Sequence, residues 1–268
     1  MTLDDCKGHW AVVTGASSGI GQEFSDQLAA RGINVVLVAR RTSRLEELAA
    51  RLVRGHGVRA VAETIDLSIP GSGTRLRESV RARDVRIRLL CNCAAFGRWG
   101  HIEAQPIATY DEMIRVNLNA VVELCLAFLQ DLASYPSSAI INVSSVAALQ
   151  PVPYMAVYAA TKAFMQSFSQ ALYEEWRERG VYVQTLTPGP TATEFDDIAG
   201  AYESAIKRRA APRDVVRESL RRLGQAAPVV YPARGAFKQR LLAALVPPRI
   251  FLKEAGKLFR PTLVDRRE

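Results

Sequence analysis

Short apolar runs recur along the first 232 positions, and most are followed by a stretch whose apolar residues return every three or four places. The runs are "WAVVT" (10–14), "NVVLVA" (34–39), "VRAVAETIDL" (58–67), "IRLLCNCA" (87–94), "AIINVSS" (139–145), "VYVQTLTP" (181–188) and "APVVYP" (227–232). Between them lie helical patterns. Ile20, Phe24 and Leu28 repeat at spacing four, and Ser43–Leu52 is helical, capped by Thr42 or Ser43. "PGSGT" (70–74) precedes an arginine-rich surface helix, long helical stretches surround Asn117, and Tyr154–Arg179 forms one long helix. Strands that are apolar on both faces, alternating with helices, belong to a parallel sheet covered on both sides. The pattern predicts a doubly wound α/β fold with a sheet of about seven strands.

The first strand runs directly into "TGASSGIG" (14–21), with Gly15, Gly19 and Gly21 in G-x-x-x-G-x-G spacing. Glycines there permit a tight strand-to-helix turn and close approach of the backbone to a pyrophosphate, which the helix N-terminus faces. A glycine cluster alone is a weak signal, but its place between a buried strand and an amphipathic helix makes it a Rossmann-type nucleotide turn. The second strand ends "VLVARR" and lacks the carboxylate that commonly binds a ribose 2′-hydroxyl. Arg40 and Arg41 stand there instead, and a guanidinium fork suits a 2′-phosphate. NADP(H) is therefore expected over NAD(H). Asp66, ending the third strand, is read either as an acceptor for the adenine amino group or as a helix cap.

"PVPYMAVYAATKAF" (151–164) places Tyr154, Tyr158 and Lys162 at spacings of four, so in one helix they share a face. A lysine ammonium beside a phenol favours phenolate, so Lys162 is expected to lower the tyrosine pKa. Spacing leaves both tyrosines as candidates, and the lysine four residues on selects Tyr158. Four cysteines (Cys6, Cys91, Cys93, Cys125) and three scattered histidines show neither a disulfide framework nor metal-ligand spacing. A reduced, cytoplasmic protein without a metal is expected. No apolar run reaches the ~18 residues of a membrane span, and the acidic start "MTLDDCKGHW" is unlike a signal peptide.

"TGASSGIG", "NCAA", "NVSS", "YAATK" and "PGPTAT", in this order over residues 8–195, resemble the short-chain dehydrogenase/reductase family. The resemblance implies Tyr158 as general acid or base and Lys162 as the group that lowers its pKa and binds the nicotinamide ribose. It implies Ser145, thirteen residues before Tyr158, as the hydrogen-bond partner of the substrate carbonyl, with Ser144 bonding locally. Asn117 would hold a water linking Lys162 to solvent. The cofactor would meet Gly15, Ser17, Ser18, Gly19, Ile20 and Gly21 at the phosphates, and Asp66, Leu67, Asn92 and Ala94 along the adenosine side. Pro188 and Gly189 would flank the nicotinamide, with Thr191 and Thr193 at its carboxamide or the phosphates. One departure stands out: Asn92-Cys93-Ala94-Ala95 replaces the family's N-N-A-G, which puts that turn's geometry in question. The resemblance also implies a homodimer or homotetramer, and the apolar "VELCLAFLQDLA" (122–133) could join its interface.

These readings divide the chain into a nucleotide-binding and catalytic domain (1–232) and a basic amphipathic extension (233–268). The net charge of +8 is concentrated late: residues 201–268 hold 16 Lys+Arg against 6 Asp+Glu, and residues 1–200 hold 19 against 21. In "RIFLKEAGKLFR" (249–260), Arg249, Lys253, Lys257 and Arg260 face one way, and Phe251, Leu252, Ala255, Leu258 and Phe259 the other. "FKQRLLAAL" (237–245) is similar. Such helices either pack on the protein or lie on an anionic membrane, here through residues 235–260. No recognition motif for nucleic acid is present. "LQPVPYMA" (149–156) with Phe195, Ile198 and Tyr202 should form an apolar pocket for a moderately hydrophobic carbonyl or alcohol substrate. A regulatory protein without turnover and an epimerase or dehydratase without net cofactor consumption are the alternatives; the cofactor preference favours reduction.

Overall fold

The computed structural model describes residues 2–201, 208–225, 227–232 and 245–261. Seven parallel strands form one sheet in the order β3-β2-β1-β4-β5-β6-β7. They are β1 (Trp10–Thr14), β2 (Asn34–Ala39), β3 (Ala60–Thr64), β4 (Ile87–Asn92), β5 (Ser138–Val143), β6 (Val181–Leu186) and β7 (Val229–Val230). Helices cover both faces: α1 (Gly19–Ala29), α2 (Thr42–His56), α3 (Ser72–Arg81), α4 (Ile107–Ile114), α5 (Ala120–Ala133) and α6 (Ala156–Glu175). Three more follow: α7 (Phe195–Ala199), α8 (Pro212–Arg222) and α9 (Pro248–Phe259). The doubly wound fold is as the alternation of patterns predicts.

The pleat assigns alternate strand residues to two cores. Val13, Val35, Leu37, Cys91 and Ile141 meet Phe24 and Leu28 of α1, Leu45 and Leu52 of α2, and Val216 of α8. Val12, Val36, Leu90, Ile140 and Val183 meet Leu76 of α3, Leu124 and Phe128 of α5, and Met165 of α6. Phe24 and Phe128 are fully buried, and each such ring contributes about 1.5–3 kcal/mol of transfer free energy. The apolar face of α5 is largely spent on this core, and among its large apolar side chains Leu126 is the most exposed.

Strand order reverses between β1 and β4, which opens a crevice at the carboxyl ends of the strands. The structured strands stop short of the apolar runs at this edge. β4 ends at Asn92, β5 at Val143 and β6 at Leu186, where the sequence runs on to Ala94, Ser145 and Pro188. Those extra residues leave the sheet to build the crevice. α7 and α8 lack a counterpart in the sequence reading, although Pro212 at the first turn of α8 and buried Val215, Val216 and Leu220 carry a helical signal.

The long helix also starts later than its pattern. α6 begins at Ala156, and Tyr154 has φ of 64°, in the left-handed region. Pro151 and Pro153 disfavour helix in the residues preceding them, which keeps the chain extended up to the turn. Tyr154 and Tyr158 therefore do not share a helical face.

Candidate active site

At the carboxyl edge lies one cavity of about 1060 Å³, with the glycine turn at one end and α9 at the other. The turn is tight: a Cβ on Gly21 would stand 2.4 Å from the Gly15 carbonyl oxygen, and one on Gly19 would stand 2.9 Å from Thr193 Cγ2. Ser18, the N-cap of α1, makes no side-chain cap bond, so the first N–H groups of α1 are left for a ligand. Gly15, Ser17, Ser18, Ile20 and Gly21 all line the cavity. So do Arg40, Arg41, Asp66, Leu67 and Ala94, and on the far side Pro188, Gly189, Thr191 and Thr193.

Both arginines meet carboxylates brought from far along the chain. Arg40 Nη1 donates to Glu112 Oε1 at 2.9 Å, and Arg41 Nη1 donates to Glu194 Oε2 at 2.7 Å. Arg41 also donates to Ser17 Oγ and Ser18 Oγ, each at 2.9 Å through Nη2. Asp66 Oδ1 accepts from Ser68 N at 2.8 Å, the local capping bond left open by the sequence. Burial would raise its carboxyl, but the bonds from Ser68 and the charge of Arg40 hold it below its ordinary value.

Asn92 does not reach the cavity. It is buried, and its Nδ2 donates to Asn142 Oδ1 at 2.8 Å, tying β4 to β5 beneath the crevice. The unusual Asn-Cys-Ala-Ala turn is held instead by Thr14, whose Oγ1 accepts from Cys93 N at 3.0 Å and Ala94 N at 3.1 Å. Thr14 is a positioning residue that sequence reasoning missed; its hydroxyl at the end of β1 was the available signal. Burial pushes the Cys93 thiol well up, so it is a neutral apolar group.

Tyr158, Lys162, Ser144 and Ser145 converge on the middle of the cavity wall. Ser144 Oγ donates to the Lys162 carbonyl at 2.9 Å, and Lys162 Nζ donates to the Val143 carbonyl at 2.9 Å. These bonds pin the first turns of α6 to the end of β5. Ser145 Oγ accepts from Ala147 N at 3.1 Å, and its hydroxyl acts on the Tyr158 phenol so as to lower its pKa.

The expected pKa effect is reversed. Burial pushes Tyr158 up to about 12, opposed by the Ser145 hydrogen bond, and burial also brings Lys162 down to about 8. The reason is geometric: the ammonium is turned to the Val143 carbonyl, and desolvation outweighs any pull it exerts on the phenol.

Asn117 lies in a π-helical turn (Arg115–Asn119) between α4 and α5. Its Oδ1 accepts from Phe96 N at 3.1 Å, and its Nδ2 donates to Phe96 O at 2.9 Å and Thr161 Oγ1 at 3.0 Å. The side chain is thus committed to fixing the 93–97 turn and α6, not aimed into the cavity.

The outer half of the cavity is apolar. Val152, Met155, Phe195 and Ile198 line it, and Phe251, Ala255 and Leu258 of α9 close it. α9 is clasped by Trp99 Nε1, which donates to the Phe259 carbonyl at 2.9 Å, and by Arg260 Nε, 3.3 Å from Tyr154 Oη. Part of the basic tail's apolar face therefore covers the cavity. Tyr154 sits in a neighbouring pocket of about 250 Å³ against His101, outside the main cavity. Tyr202 and residues 237–244 lie outside the described residues. Among those described, no helix is long and apolar enough to cross a membrane and no metal-binding cluster occurs.

Fold and site together define a Rossmann-type oxidoreductase with a serine–tyrosine–lysine wall. The short chain dehydrogenase family matches residues 9–202, and the chain belongs to that family. It is 32% identical to a short-chain dehydrogenase from Sphingobium yanoikuyae solved in complex with NADPH, with a TM-score of 0.80 over 92% of this chain and 95% of that one. A bulky-bulky ketone specific alcohol dehydrogenase from Comamonas testosteroni is 28% identical, with a TM-score of 0.76 over 92% and 94%. The 7beta-hydroxysteroid dehydrogenase of Collinsella aerofaciens is 29% identical over 86% of this chain and 88% of its own.

Proposed function

We propose that the protein is an NADP(H)-dependent oxidoreductase that interconverts a bulky, hydrophobic ketone and its alcohol. The observation that carries this reading is that one cavity joins an arginine-bearing phosphate cradle, the Ser145–Tyr158–Lys162 wall and an apolar chamber under α9. The cradle fits the cofactor on its own chemistry. Backbone N–H groups and two serine hydroxyls face the phosphate path, and guanidinium groups stand at the end of β2. Gly15, Ser17, Ser18, Gly19, Ile20, Gly21, Arg40 and Arg41 would hold the phosphates. Asp66, Leu67 and Ala94 would flank the adenosine, and Pro188, Gly189, Thr191 and Thr193 the nicotinamide. When bound, NADPH supplies the hydride.

The protein's own groups supply the proton and the charge stabilisation. Ser145 Oγ donates a hydrogen bond to the substrate oxygen as that oxygen gains charge. Tyr158 holds its proton at neutral pH because burial raises the phenol, so it stands loaded as the acid of the reduction. Lys162, brought down to about 8, exchanges protons near neutrality and lies one turn along α6 from the tyrosine it would resupply. Asn117 is a positioning residue, fixing α6 through Thr161. Phe195 packs on the Tyr158 ring at 5.0 Å and shields it from water. Assembly into dimers or tetramers would use the outer faces of α5 and α6, where Leu126 and Phe164 are exposed.

The names of the similar proteins, acting on a hydroxysteroid and on bulky ketones, support the size of the chamber as a guide to substrate. A panel of ketones from a small methyl ketone to a fused-ring ketone, followed by NADPH absorbance, tests this. kcat/KM should rise about tenfold or more with bulk and favour NADPH over NADH. Ala255→Phe, which fills the chamber from α9, should remove most of that gain and spare the small ketone. Equal turnover across the panel would overturn the substrate reading, and NADPH binding without oxidation would favour a regulatory role.

A further inference from the structure

Glu194 stands where the loop after β6 meets the cofactor arginines. Its two carboxylate oxygens accept from different guanidinium groups, Arg41 at 2.7 Å and Arg44 at 2.5 Å. Arg44 and then Arg41 hold its carboxyl below the usual range, so it is ionised at neutral pH. Glu194, the N-cap of α7, and Phe195, its first residue, therefore face two different parts of the cavity. Glu194 grips the arginines, and Phe195, the next residue, packs on the Tyr158 ring and comes within 2.8 Å of where a Gly97 Cβ would lie. Asp196, one further on, is bound by Arg209 Nε at 2.6 Å.

Resting on the NADP(H) reading, we propose that Glu194 is an internal anion latch that competes with the cofactor's 2′-phosphate for Arg41. Phosphate on Arg41 leaves Glu194 held by Arg44 alone, and the loosened turn shifts the Phe195 cover over Tyr158. The physical basis is charge. Arg41 already bonds a carboxylate, and a phosphate dianion on the same guanidinium would place two anions within a few ångströms, where like charges repel. The pair is half-exposed at 39% and 37%, so the latch is weak enough to yield. A cofactor with a bare 2′-hydroxyl brings no such charge and leaves the latch shut. Phosphate recognition at one end of the cavity is thereby linked to access at the catalytic wall.

The test uses adenosine 2′,5′-bisphosphate and adenosine 5′-monophosphate, titrated calorimetrically into the full chain and its Glu194→Gln variant at one ionic strength. The bisphosphate should bind about two- to fivefold more tightly to the variant, the scale of one exposed ion pair removed. The monophosphate should bind both proteins alike. Wild-type discrimination between the two ligands with no change in the variant would overturn the latch alone. Absence of discrimination in both proteins would overturn the NADP(H) reading and the latch with it. Trp99 gives a second readout, since its backbone N–H donates to the Ala199 carbonyl at 2.9 Å, while Trp10 and Trp176 are core residues. Bisphosphate should shift wild-type tryptophan emission toward that of the ligand-free variant, and an unchanged spectrum would overturn the coupling to the loop.

Discussion

Replacing Tyr158 by phenylalanine lowers kcat for ketone reduction by about 10²–10⁴, with NADPH affinity held within about twofold. The substitution deletes one hydroxyl and keeps the ring. The packing against Phe195 and the Thr161 hydroxyl bond to the Tyr158 carbonyl both survive. The bond to Ser145 and the proton do not. Fold and cofactor affinity are therefore controls, and kcat is the readout. Turnover persisting at the wild-type level would refute the acid assignment and move the search to a solvent proton. The same logic separates Tyr158 from Tyr154. Tyr154→Phe removes only a hydroxyl that bonds Arg260 at the end of α9, outside the main cavity. It should change KM for bulky ketones more than kcat.

The sequence carried the sheet because strands buried on both faces need uninterrupted apolar residues, and these are local signals. "TGASSGIG" was legible for a similar reason: Gly21 is demanded by a backbone oxygen 2.4 Å from where its Cβ would be. Contacts made across the chain were not legible. Arg40 and Glu112 are 72 positions apart and Arg41 and Glu194 are 153 apart, so nothing near "VLVARR" announced either carboxylate. Asn92 misled for the opposite reason. It stands beside the crevice in sequence, but the pleat turns it down onto Asn142. The helix of the basic tail was readable from its periodicity, whereas the surface it covers is fixed by distant partners such as Trp99, 160 positions from Phe259. The Tyr158 pKa failed as a prediction because spacing gives the distance along a helix and not the aim of the ammonium, nor the burial that dominates both groups.

Lys162→Met separates those two buried groups by pH. Burial depresses the folded pKa of Lys162 from 10.5 to about 8, so between these values the unfolded chain binds more protons than the folded one. Stability from this group is complete above the unfolded pKa and is lost as pH falls through about 8. At about 1.36 kcal/mol per pKa unit, wild type should lose on the order of 3 kcal/mol relative to the methionine variant between pH 10.5 and pH 7. Wild type alone will not display this rise with pH. Tyr158, Cys6 and Cys125 are raised by burial to about 12, 11 and 12, so their contributions fall as pH climbs above the ordinary tyrosine and thiol values. Those groups are common to both proteins and cancel in the difference. Denaturant unfolding at a series of pH values therefore isolates the lysine. The difference should shrink by the stated amount toward alkaline pH, after allowance for a constant cost from the unpaired Val143 carbonyl. Parallel curves would mean that Lys162 titrates as an exposed amine, which would remove the physical basis for its role as the proton source behind Tyr158.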